Sequence, residues 1–384
     1  MRPLKLPGTG AGLAALFCFG ACGSDPASQE TDAQQNPNDA GQTSQDAAAL
    51  QDSAVGADGD ASDAKVPLAD ASSADASTDS GVANQSLRAQ VCGLRTTWPD
   101  PLPPRDQRTA QRVGNDTFGF IEGPVWIAEL GVLLFSDMAL SGVLAVPPAQ
   151  IRRLRPPASF DVFVGASGSN GLALGASGQI LAATHDTQSL SLFALGDGAR
   201  TNIPVLSDGK HFNSPNDLTV TDTGSVFFTD PDYQLGDRVS ETMRQGVYKV
   251  PGPLSTTSNS ASLVDGTLDR PNGIALSPDQ RTLYVGSSAK EIWKYELTDG
   301  VVGARSKFAE TGGSDGMTVD CAGNLYVTSG TVEVFAPSGT PLGELQLGGS
   351  PSNVAFGGAD RKTLYITAGS RLYSIELNVP GFPY

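Results

Sequence analysis

The sequence predicts an all-β fold: a six-bladed β-propeller over residues 91–384, preceded by a signal peptide (1–22) and a disordered acidic linker (23–90). Three observations predict it. Six segments repeat one two-strand layout, each segment opens on a polar residue, and every Trp and Tyr lies beyond residue 90. The strands alternate with period two and carry no sustained 3.6-residue pattern, which argues against helices.

In chain order, Arg2 and Lys5 precede an apolar run from Ala11 to Phe19 that is too short to span a bilayer. This is the layout of an export signal. Its end, Phe19-Gly-Ala-Cys22, resembles the bacterial lipobox, which implies lipidation at Cys22 and an outer-membrane or cell-envelope lipoprotein; an ordinary secretory signal is the alternative. Residues 23–90 hold 16 Ala, 11 Asp and 10 Ser, and their twelve acids face only Lys65 and Arg88. So little apolar surface cannot offset chain entropy, and a tether is expected. The net charge of −16, with no basic block, argues against nucleic acid as a partner. Cys92 and Cys321 remain for the exported domain. They form one disulfide or stay two separate buried thiols.

The repeats begin at Glu122 (E-G-P-V-W-I), Asn170 (N-G-L-A-L), Asn216 (N-D-L-T-V), Asn272 (N-G-I-A-L), Asp315 (D-G-M-T-V) and Asn353 (N-V-A-F). The intervals are 48, 46, 56, 43 and 38 residues. A second apolar strand follows each, after hairpin formers such as Asp222-Thr-Gly224 or Pro278-Asp279. Units of this length with about four strands are propeller blades. Paired β-sandwiches are the alternative, but they give no reason for six equivalent polar starts.

In a propeller, one position of every blade reaches one height on the central axis. The six starts are therefore expected to ring one mouth of the channel. Two carboxylates among four carboxamides suit a hard divalent cation, calcium above all. Asn-Gly and Asp-Gly are also ordinary turn residues, yet a turn has no use for Glu122.

E-G-P-V-W at 122–126, S-P-N-D-L at 214–218, F-T-D-P-D-Y at 228–233, P-N-G-I-A-L-S-P-D at 271–279 and D-G-M-T-V-D at 315–320 follow one another in that order. In this the chain resembles the SMP-30/gluconolactonase/regucalcin family of six-bladed lactonases, its microbial gluconolactonase branch in particular, over roughly residues 112–375. The resemblance implies a Ca2+ ion, or Zn2+, Mn2+ or Mg2+, held by Glu122, Asn272 and Asp315. Asp315 would be the catalytic acid/base, with Asn216 against metal and substrate. Animal members carry Arg at the place of Ser214, a departure that bears on the substrate.

Asp230 and Tyr233 are expected at the mouth, although Asp230 could equally cap the turn before Pro231. His185 and Asn170 are further candidates for substrate contact, and His211 lies nearby; a structural role fits either histidine as well. Two histidines are too few for a His₃ zinc site, and no G-x-S-x-G elbow or phosphate loop occurs. The expected function is metal-dependent hydrolysis of a lactone, a small molecule such as a sugar lactone, by a monomer that meets the membrane only through its lipid anchor. A non-catalytic calcium-stabilised binding propeller, or a related esterase or aryl-lactonase, is the alternative.

Overall fold

A computed structural model describes residues 92–93, 95–138, 149–175 and 177–382. The expected signal peptide, the expected tether and Cys22 lie outside the described residues. Six four-stranded antiparallel sheets follow one another along the chain, as expected of a six-bladed propeller. Their innermost strands are Phe120–Ile127, Ser169–Leu174, Leu218–Val220, Ile274–Leu276, Met317–Val319 and Asn353–Gly357. Each touches the innermost strand of the next blade, and the sixth touches the first, so the ring closes about a central axis.

Blade VI is completed by the start of the domain. Gln111–Arg112 pairs antiparallel with Arg371–Glu376 as the outermost strand of that sheet, which ties early chain to late chain. Cys92 and Cys321 form a disulfide with Cα atoms 5.2 Å apart. This second tie joins the segment before blade I to the turn of blade V, and resolves the two sequence readings in favour of the bridge.

The core consists of apolar layers between neighbouring blades. Val125, Ile127, Leu134 and Ile151 of blade I pack on Leu172, Ile180 and Phe193 of blade II. Tyr326 and Val334 of blade V pack on Val354, Phe356 and Leu364 of blade VI. Alternating strands put one apolar face toward each neighbour.

Hydroxyl clasps lock the blades at the mouth. Ser136 donates to the Asn170 carbonyl (2.6 Å), Thr229 to that of Asn272 (2.8 Å), Thr328 to that of Ser352 (2.9 Å) and Ser352 to that of Ile121 (2.7 Å). These bonds fix the height of the residues that precede each inner strand.

Candidate active site

The backbone register identifies the ring. Asn216, Asn272, Asp315 and Ser352 each donate their N–H to the second strand of their own blade, at Thr229, Gly286, Thr328 and Thr367. The ring at this height is therefore Glu122, Asn170, Asn216, Asn272, Asp315 and Ser352. Asn353, the expected sixth member, stands one residue further on. It shares its level with Gly123, Gly171, Asp217, Gly273 and Gly316.

Four glycines in that second layer have a steric cause. A Cβ at Gly171 would lie 2.8 Å from Asp217 Cα, and one at Gly316 would lie 2.1 Å from Asn353 Cγ. The space they leave is filled from two opposite blades. Asp217 of blade III and Asn353 of blade VI meet across the axis, with Asn353 Nδ2 donating to Asp217 Oδ2 at 3.4 Å. Leu218 N–H also donates to Asp217, at 2.9 Å. This strut forms the floor of the polar mouth.

Electrostatics single out three acids. Burial raises the Glu122 carboxyl well above its usual value, and the charges of Asp315 and Asp217 raise it further. Burial likewise lifts Asp217 to about 7. Asp315 is raised first by burial and then by Asp217, while the Asn272 amide, donating at 2.8 Å, opposes the rise. Asp315 alone of the three keeps part of its surface open to the mouth. Among the described residues, no Lys or Arg contributes to any of these shifts. Asn170 leans on Glu122 and opposes its rise, yet its Nδ2 makes no hydrogen bond of normal geometry.

The outer residues divide by role. Asp230 is fully buried and accepts from Asn213 N–H (2.9 Å), Asn213 Nδ2 (3.0 Å) and Ser214 N–H (2.8 Å). Both its oxygens are thus taken by the segment that leads to Asn216. The expectation that it contacts substrate is corrected: it positions the loop. Tyr233 has its hydroxyl against Asn272 and the Arg270 guanidinium 5.6 Å from its ring. Burial, then the field of Asp315, pushes this phenol up to about 12, so it stays a neutral donor. His185 follows strand Ile180–Thr184 and is 4 % exposed. Burial lowers it to about 4, its Nδ1 has no hydrogen-bond partner, and its carbonyl accepts from Arg238 at 2.7 Å. It is a neutral imidazole at pH 7. His211 is exposed.

Residues 120–370 match the family model described as "SMP-30/Gluconolactonase/LRE-like region". The chain belongs to this family. It is 32% identical over 298 residues to a gluconolactonase of Zymomonas mobilis, covering 68% of this chain and 79% of that one. It is 26% identical over 271 residues to a pentonolactonase of Haloferax volcanii, covering 67% and 84%. A solved gluconolactonase from Xanthomonas campestris superposes with a TM-score of 0.61 at 30% identity, covering 74% of this chain and 96% of that one.

Among the described residues, no three of His, Cys, Asp and Glu already form a closed metal cluster. The donor set of this SMP-30-type mouth still fits a hard cation. Its acids repel one another with no basic side chain to compensate, its donors are oxygens, and one carboxamide beside Glu122 lacks a hydrogen bond. Sequence reading missed Asp217 and Ser352. The signal was present: four repeats open polar-Gly, whereas blade III reads Asn216-Asp217 and blade VI Ser352-Asn353.

Proposed function

We propose that this protein is a lactone hydrolase of the gluconolactonase type, acting on a sugar lactone at the polar mouth and dependent on a divalent metal, calcium first. One observation carries the reading: Glu122, Asp217 and Asp315 converge on the axis without a basic partner. The lactonases among its relatives support the same chemistry.

Glu122, Asn216, Asn272 and Asp315 would hold the cation, with Asp217 beneath them. When bound, it supplies an electrophile for the lactone carbonyl oxygen. Asp315 accepts a proton from the attacking water. Its Oδ1 is held by Asn272, which fixes the carboxylate, and its exposed edge meets solvent. With a cation beside it, this carboxylate would stay ionised near neutral pH and so be free to take that proton. The Tyr233 hydroxyl, un-ionised over the mouth, is placed to hydrogen-bond the substrate ring. The ring C–O bond breaks as water adds, and the products are one carboxylate and one hydroxyl on the same chain.

Cys22 and the acidic tether support an envelope lipoprotein that holds this mouth off the membrane. The test is acid release from glucono-1,5-lactone by wild type and Asp315→Asn. A loss of at least 10²-fold in kcat with retained folding is expected. Turnover within a fewfold of wild type would remove Asp315 from the chemistry, whereas no turnover by wild type would favour the binding-module alternative.

A further inference from the structure

The second end of the channel carries a feature that lactone hydrolysis does not use. Beneath the Asp217–Asn353 strut runs a cavity of ≈ 80 Å³, lined by inner-strand residues such as Ala173, Ala275 and Thr318 and, at its far end, by Phe356, Arg361 and Phe382. Arg361 also lines a groove that opens outward past Arg95, Lys362, Asp360, Trp126 and Tyr365. It therefore lines both the cavity and the outer groove.

Arg361 is an unusual residue for its place. It occupies the turn between strands Asn353–Gly357 and Thr363–Ala368, where an arginine would ordinarily extend into water. Instead it is 5 % exposed. Its backbone sits at φ +56°, a conformation in which Gly, Asn and Asp are the usual occupants. The backbone is tied down on both sides, since Arg361 N–H donates to Gly358 and its carbonyl accepts from Gly381. The guanidinium has no hydrogen bond or ion pair among the described residues. Burial alone lowers its pKa, to about 10, with no acid opposing it.

A guanidinium at the wall of a cavity, with five donors and no protein acceptor among the described residues, is left to be met by solvent or by a ligand. Asp217, the acid that lines the same cavity, is engaged with Leu218 and Asn353 at the opposite end. Around the outer groove, Arg95, Arg361 and Lys362 outnumber Asp360, a local positive excess in a chain of net charge −16. Planar paired donors match the two oxygens of a carboxylate. The cavity accepts a head group of a few atoms, and the groove has room for what is attached to it.

We propose that the far mouth of the channel is a second binding site, in which Arg361 anchors the carboxylate of a small organic acid. It is separated from the catalytic mouth by the Asp217–Asn353 strut and stands independently of the lactonase reading. Occupancy stabilises the blade VI turn and the channel floor.

The test uses the full chain and two probes, acetate and gluconate, with chloride at equal ionic strength as reference. Thermal unfolding of wild type is expected to shift upward with saturable dependence on either carboxylate. In Arg361→Gln, which keeps a polar side chain and loses the charge, the apparent affinity is expected to fall at least tenfold. Lactone turnover without added acid should be unchanged. Arg361→Lys serves as a second variant, expected to retain intermediate affinity if Arg361→Gln folds poorly. Three outcomes would overturn the proposal: no carboxylate-dependent shift in wild type, equal shifts in wild type and Arg361→Gln, or a shift that disappears in Asp315→Asn but persists in Arg361→Gln, which would place the acid at the catalytic mouth.

Discussion

Replacing Asp217 by Asn is expected to stabilise the metal-free protein. Folding raises this carboxyl from 3.8 to about 7 by burying it. At about 1.4 kcal/mol per pKa unit, roughly 4 kcal/mol opposes the ionised form. The amide keeps the shape and can still accept from Leu218 N–H. It forfeits the long 3.4 Å contact from Asn353, a loss of about 1 kcal/mol, which leaves about 3 kcal/mol. Because the folded pKa is raised, the penalty on wild type is absent below 3.8, grows as pH climbs to about 7, and is constant above that. Urea unfolding followed by Trp fluorescence in chelator should therefore place Asp217→Asn above wild type at pH 8 and close to it at pH 4. Added calcium should shrink or invert the gap, since a cation benefits more from the full set of acids. A variant less stable than wild type in chelator at pH 8, or a gap of the same size at both pH values, would refute the reasoning.

Other outcomes follow from the same geometry. Gly316→Ala brings a Cβ to 2.1 Å from Asn353 Cγ, so Tm should fall by an amount equivalent to about 2 kcal/mol or more, while Gly330→Ala, with nothing within 4 Å, serves as the neutral control. His185 is lowered from 6.5 to about 4, so about 3 kcal/mol of stability, fully present above 6.5, should drain away as pH falls toward 4; His185→Gln should flatten that part of a pH–stability curve. The Cys92–Cys321 bridge spans 229 residues, and reduction or Cys321→Ser should cost about 2–5 kcal/mol in a melting experiment.

The fold was legible because a propeller repeats its signal. Asn170, Asn272 and Asp315 each stand before a glycine and an alternating strand, and the same pattern six times over leaves few architectures. What was not legible was register. Nothing in N-V-A-F alone says that Ser352, one residue earlier, is the counterpart of Asp315; the bonds from Ser352 N–H to Thr367 and from Gly316 N–H to the Ser352 carbonyl set the height. Asp217 was passed over for the same reason, as the residue after an expected ligand rather than a filler of a glycine layer. Asp230 illustrates a different limit. Its composition-level reading, an acid beside Pro231 near a mouth, is equally true of a ligand and of a loop clamp. Three hydrogen bonds to Asn213 and Ser214 decide it. Pairing of Cys92 with Cys321 depended on where the chain start meets blade V, which no local pattern encodes.

The central claim is that the acids at the mouth hold a cation on which lactone hydrolysis depends. Its most direct test is pH-stat measurement of acid release from glucono-1,5-lactone by chelator-stripped protein, before and after calcium is restored. The expected result is turnover near the spontaneous rate without metal and well above it with calcium. Full activity in the stripped protein, or none at any divalent ion, would contradict the account.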